Sequence, residues 1–364
     1  MKCCKVIAVI LALLMTAACT GCALLPAGVT VSADVPDLPS EFFCLSNQHQ
    51  QAANTWLGVY DGQLYYLPQC NDSMNETAFD GWLCVLEDGQ LVKLCQPAGG
   101  VIGQSGNFLY YYDFRYSDDS GMLYCYDLSR RRETALAETE LSTLALTVFA
   151  EDGSVYLPLY TRHSGEPHRF LHIRGNQVLE EDAAAPEGIP LGERTYTTVG
   201  GDVSYREKVV CTDESGLTAD IPLPVASNRH LLPAGDGLLV HNEGYAQLLF
   251  RIGPDHAVTP IFSAECMCSD SALAVTEDSA FFSLKRYAGY NDIFLRRFEN
   301  DTIEGTYRIS LTDFSPVKIS DAIYSGLYWF GGDCLLACDE YCNVYVLNLD
   351  GSVRTTLIDV QERE

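Results

Sequence analysis

Arginine and tyrosine meet at four places in this sequence: Arg115-Tyr116, Tyr160 with Arg162, Tyr205-Arg206, and Arg286-Tyr287 with Tyr290. A guanidinium beside a phenol ring offers forked hydrogen-bond donation, a stacking face and a positive charge, which suits carboxylates, sugar faces and anionic glycans. The plainer alternative is a set of unrelated surface pairs, with arginine stems lying over tyrosine rings or bonding nearby carboxylates. The chain holds 23 Lys and Arg against 49 Asp and Glu, a formal charge of −26. Positive charge is therefore scarce, and a nucleic-acid partner is excluded by electrostatics.

Signatures of catalysis are missing. There is no GxSxG elbow, no HExxH, no phosphate-binding glycine loop and no complete calcium loop. The acidic turns Asn71-Asp72, Asp118-Asp119 and Asp213-Glu214 offer carboxylate pairs for glycoside hydrolysis or calcium, but in so acidic a chain a solvated turn is the simpler reading. Cys334, Cys338 and Cys342 lack a nearby histidine, and His163, His168 and His172 have arginine and apolar neighbours. No metal site and no cofactor are expected. Eleven of the 15 cysteines lie between Cys44 and Cys342, and they read as small apolar core residues or as disulfides in an exported protein.

The elements that would position the arginines recur along the chain. DGQLYYLPQ from Asp61, SGNFLYYYDF from Ser105, EDGSVYLPLY from Glu151, GGDVSYREK from Gly200, GDGLLVHNE from Gly235, EDSAFFSLK from Glu277 and GGDCLLACD from Gly331 each place an acidic or glycine turn before an apolar strand. Anchored on Tyr65, Tyr110, Tyr156, Ser204, Leu239, Phe281 and Leu335, the steps are 45, 46, 48, 35, 42 and 54 residues, with a mean of 45. A second strand and a polar hairpin follow in each unit, and helical heptads are missing. This predicts an all-β chain forming a single β-propeller over residues 41–364, with seven blades and six as the alternative. The loops after the repeated strand, which carry the four arginine–tyrosine groups, would then gather on one rim.

Two units resemble a known family. NFLYYYDF with LYCYDL, and NLDGSVRTTL from Asn348 to Leu357, are similar to YWTD-type and TolB-like propeller repeats, with Tyr110-Tyr111-Tyr112-Asp113 standing where the family has Tyr-Trp-Thr-Asp. The resemblance implies a propeller, six blades in the YWTD case, and binding to other proteins.

The N-terminus gives an address. Lys2 and Lys5 precede thirteen uncharged residues, Val6 to Ala18, the length of a signal-peptide core rather than of a membrane span. Small residues stand before Cys19 and again before Cys22, which resembles the lipobox of bacterial lipoproteins. That resemblance implies cleavage before a lipidated cysteine, Cys19 or alternatively Cys22. The expected organisation is a signal peptide over 1–18, a lipidated cysteine and flexible tether over 19–40, and the propeller beyond. The protein is expected at the cell membrane, lipid-anchored and facing outside the cytoplasm. There it would be a non-catalytic binding or scaffolding module for an envelope protein or an extracellular glycan or peptide ligand. A carbohydrate-active propeller enzyme is the alternative, and the sequence leaves the oligomeric state open.

Overall fold

The structure is a computed structural model. It describes residues 28–40, 55–69, 77–97, 100–115, 120–139, 147–150, 152–159, 169–183, 188–199, 206–227, 229–242, 245–286 and 304–361. The described residues form β-strands and turns, and no helix among them is long and apolar enough to cross a membrane.

Seven four-stranded antiparallel blades follow one another in a ring. Strand β1 (Val29–Val31) precedes them. Blade 1 is β2 (Thr55–Tyr60), β3 (Gln63–Pro68), β4 (Leu83–Glu87) and β5 (Gln90–Cys95). Blade 2 is β6 (Val101–Ser105), β7 (Phe108–Arg115), β8 (Ser120–Asp127) and β9 (Arg132–Thr139), and blade 3 is β10 (Val148–Phe149), β11 (Ser154–Leu159), β12 (Arg169–Arg174) and β13 (Gln177–Ala183). Blade 4 holds β14 (Ile189–Leu191), β15 (Arg194–Val199), β16 (Arg206–Asp213) and β17 (Thr218–Ser227). Blade 5 is β18 (Arg229–Ala234), β19 (Gly237–Asn242), β20 (Tyr245–Ile252) and the first part of β21 (Val258–Val275). The second part of β21 opens blade 6, which continues through β22 (Ser279–Arg286), β23 (Gly305–Ser310) and β24 (Pro316–Ser320). Blade 7 is β25 (Gly326–Tyr328), β26 (Cys334–Cys338), β27 (Val344–Asn348) and β28 (Val353–Val360).

Burial explains why the strands read as unbroken apolar runs. The first three strands of blade 1 are buried almost throughout, whereas β5 at the outer edge is largely exposed. Inner strands are covered on both faces by neighbouring blades, so neither face needs polar residues. The aromatic doublets of the second strands follow from the same geometry, because adjacent side chains point to opposite faces. Tyr65 packs towards blade 2, with Leu109 and Tyr111, while Tyr66 packs towards blade 7, with Tyr328 and Leu336. Tyr110 and Tyr111 divide in the same way between blades 3 and 1, and Phe281 and Phe282 between blades 7 and 5. Tight turns join the paired strands: Asp61-Gly62 and Asp88-Gly89 all have positive φ, the left-handed pair that a two-residue hairpin turn requires.

Six of the seven repeat anchors fall on the second strand of a blade. The fourth, Ser204, lies between β15 and β16, outside the described residues, and the equivalent position is Tyr196 in β15. Its steps to Tyr156 and Leu239 are 40 and 43 residues, closer to the mean. Arg-Thr-Tyr-Thr-Thr-Val is rich in threonine, so its apolar signal was weaker than that of the glycine-led stretch after it. The count is seven, not the six that YWTD repeats imply.

The ring has one seam without a chain connection between neighbouring blade strands, where blade 7 meets blade 1. Fourteen buried residues form one cluster across it, among them Leu57, Tyr66, Tyr328, Leu336 and Ile358. Two hydroxyls also cross it: Tyr66 donates to the Cys342 carbonyl at 3.0 Å and Tyr328 to the Thr55 carbonyl at 2.7 Å. Part of the segment expected to be a flexible tether is structured instead. β1 adds a fifth strand to blade 7, with Val29 opposite Val360 and Val31 opposite Ile358. Leu38 then packs on the seam cluster, and the Pro39 and Ser40 carbonyls accept from the Gly62 and Asp61 N–H groups of blade 1. Three residues are too few to show as a strand in the sequence, although Val-Thr-Val has the β-branched character of one.

Starting the chain at Asp34, which removes β1, is expected to cost about 2 to 3 kcal/mol, from two half-buried valines and their ladder bonds. Thermal unfolding against the longer chain measures it. Tyr66→Phe is expected to cost about 1 kcal/mol by removing the buried hydroxyl's bond to the Cys342 carbonyl, read from urea midpoints.

Candidate functional site

Alternation of strand direction gives the disc two unlike faces. The turn face carries the tight connections between first and second and between third and fourth strands. The loop face carries the connections between second and third strands and those from blade to blade. Arg115 ends β7, Arg206 begins β16 and Arg286 ends β22. All three are therefore strand ends on the loop face, in blades 2, 4 and 6. Tyr116, Tyr160, Arg162, Tyr205, Tyr287 and Tyr290 lie outside the described residues, in the connections between second and third strands of blades 2, 3, 4 and 6. Cys19 and Cys22 lie outside them as well.

One aromatic and basic group of the loop face was not legible in the sequence. In blade 1, Lys93 Nζ stands 4.7 Å from the Trp82 ring centroid and 5.6 Å from that of Phe79. Phe79 and Trp82 come from the connection before β4, and Lys93 from the outer strand β5. The pairing of Cys84 with Lys93 brings them together across eleven residues of sequence. The nearest signal was an aromatic immediately before a strand, which by itself names no partner. Tyr341, in the short β26–β27 connection, is a further exposed aromatic on this face.

The turn face is built to be rigid. Asp127, Asp152, Asp213, Asp313 and Asp350 each stand two residues before a serine and accept from its N–H, and also from its hydroxyl. This Asp-x-Ser turn satisfies backbone donors that a hairpin would otherwise expose. Burial alone would raise the Asp127 carboxyl, but donors from the Ser129 hydroxyl, the Arg130 N–H, the Asn107 amide and the Ser129 N–H outweigh it and hold it below the usual carboxylate range. The other four are lowered too, Asp152 chiefly by the Ser154 N–H and Asp213, Asp313 and Asp350 chiefly by the serine hydroxyl. Five arginines here are paired: Arg131 with Glu87, Arg174 with Asp152, Arg251 with Asp236, Arg308 with Asp278 and Arg354 with Asp333.

Blade 3 brings Asp152, Ser154 and His172 together in hydrogen-bond reach, yet not as a nucleophilic triad. The Ser154 hydroxyl bonds both His172 Nε2, at 3.0 Å, and Asp152, so the carboxylate restrains the serine instead of orienting the imidazole. Ser154 is also buried, at 1% exposure, which denies it a substrate. His172 stacks on Tyr156 at 4.5 Å and serves packing. Among the described residues no group of three His, Cys, Asp or Glu could hold a metal ion. Cys334 and Cys338 sit four residues apart on β26, about 13 Å, too far to share one. Seven described cysteines carry free thiols, and burial pushes Cys84, Cys95 and Cys125 up to about 12.

Comparison with solved structures supports the fold. The chain is similar to a prolyl endopeptidase, with a TM-score of 0.55 and 12% identity over 87% of this chain and 52% of that one. Prolyl oligopeptidase B from Galerina marginata gives 0.50 and 11% over 89% of this chain and 52% of that one. TolB from Acinetobacter baumannii gives 0.42 and 10% over 84% of this chain and 66% of that one. The chain spans about half the length of the two peptidases. No protein-family model and no curated protein matches it.

A carboxyl whose folded-state pKa is depressed contributes stability that is present above its unfolded pKa and lost as pH falls through the folded value. Stability is therefore expected to be level from neutral pH to about 5 and to fall below about 4 as the Asp-x-Ser turns protonate. Denaturant midpoints across that range measure it. Asp127→Ala, which removes the shared acceptor of a turn whose donor residues Ser129 and Arg130 are exposed, is expected to cost about 1 kcal/mol and to flatten the acid limb.

Proposed function

We propose that the protein is a lipid-anchored extracytoplasmic lipoprotein whose propeller is a non-catalytic binding or scaffolding module, with the loop face as its binding surface. The observation that carries this reading is the sharing of one face by the strand ends at Arg115, Arg206 and Arg286 and by the Phe79, Trp82 and Lys93 group. On the turn face, five arginines are paired with carboxylates. Tyr116, Tyr160, Arg162, Tyr205, Tyr287 and Tyr290 complete the proposed surface, and its ligand class is a carboxylate-bearing peptide or an anionic glycan. The anchor is proposed at Cys19, with Cys22 as the alternative, and it holds the disc at the outer side of the cell membrane.

A thermal-shift screen of the mature chain against envelope glycans and acidic peptides tests the surface. A ligand at 100 times its Kd adds about 2.7 kcal/mol of stability. The triple variant Arg115→Ala, Arg206→Ala, Arg286→Ala is expected to keep its own unfolding midpoint and to lose at least tenfold in affinity, the cost of one charge-assisted hydrogen bond or more. Unchanged affinity in the folded variant removes the site. Acyl-chain labelling of the Cys19→Ser and Cys22→Ser forms identifies the anchor, and absence of label from the unsubstituted protein removes the lipoprotein reading.

A further inference from the structure

The position of β1 fixes more than ring closure. β28 runs from the turn face to the loop face, and β1 pairs with it antiparallel. The chain therefore enters β1 at the loop face: the Gly28 carbonyl accepts from Gln361 N at 2.9 Å, beyond the last residue of β28. The β26–β27 connection sits against this entry point. Val29 packs on Cys342 and Val360, and Asn343 Oδ1 accepts from Val360 N at 2.6 Å. Tyr341, the neighbour of Cys342, is 42% exposed there.

We infer that the loop-face corner of blade 7, where β1 meets β28 and Tyr341 stands exposed, is the part of the disc that rests on the lipid surface. The inference rests on the lipid-anchor reading. Six residues from Cys22 to Gly28, or nine from Cys19, span at most about 20 or 30 Å. The eight residues of β28 set the turn-face end at Val353 about 25 Å farther along the strand. From Cys22 the reach is shorter than the strand, which keeps the corner nearest the membrane; from Cys19 the two are about equal. An exposed tyrosine beside the exit suits the headgroup layer, where its ring is shielded and its hydroxyl stays wet.

The charges around it choose the lipid. The Asp339 carboxylate is taken up by the Tyr341 and Asn343 N–H groups, the Asn343 amide and the Tyr345 hydroxyl. Asp359 is exposed and would be repelled by an anionic layer, so the surface that fits is a zwitterionic one.

The test uses the full acylated protein in zwitterionic phospholipid vesicles carrying a headgroup-linked energy acceptor. A donor dye is placed at Glu340→Cys or at Val353→Cys, both exposed positions of blade 7, with the unsubstituted protein as background. Energy transfer is expected to be several-fold stronger from position 340 than from position 353. Equal or inverted transfer in protein that carries acyl label overturns this inference alone. Absence of acyl label overturns it together with the anchor reading.

Discussion

A ring of blades must close on itself, and everything else in this structure depends on how the seam between blades 7 and 1 is held. Every other junction inherits its geometry from a chain that runs directly from one blade into the next. At the seam no chain runs directly from β28 into β2, and three different interactions share the task. An apolar cluster excludes water, the Tyr66 and Tyr328 hydroxyls satisfy carbonyls on the opposing blade, and residues 29 to 40 run across the outside from β28 to the Asp61-Gly62 turn. Loss of any one leaves buried polar groups or apolar surface exposed to water, costs comparable to a good part of a domain's net stability.

That constraint also accounts for the composition. Both faces of each inner strand are covered, so aromatic doublets such as Tyr65-Tyr66 and Phe281-Phe282 are used in full, one ring for each neighbouring blade. Tyrosine fits better than phenylalanine wherever a carbonyl of the next blade lies within reach, as Gly175 does for Tyr110 at 2.8 Å. Acidic residues are then left for the periphery, where the Asp-x-Ser turns use the carboxylates as acceptors. The acidity of the chain is in this respect a property of its turns as well as of its surface.

The repeat period was legible because an acidic or glycine turn leading into an apolar strand is a local pattern, and each of its causes acts within about ten residues of sequence. β15 escaped because its threonines weaken that pattern, and β1 because three residues carry too little of it. Lys93 over Trp82 escaped for another reason: cross-strand register, which a sequence states only indirectly, brings them together. The arginine–tyrosine groups stand out in the sequence by residue type and spacing alone. Topology brings the strand ends at Arg115, Arg206 and Arg286 to one face.

Residues 29 to 40 form a structural strap across the seam. Amide hydrogen exchange on the intact chain tests it most directly. The Thr30 and Ser32 amides, which face β28, and those of Asp61 and Gly62 are expected to exchange on the order of a hundredfold more slowly than open chain. Exchange of Thr30 and Ser32 at the open-chain rate, while the blades remain protected, would contradict it and return this segment to the role of a plain tether.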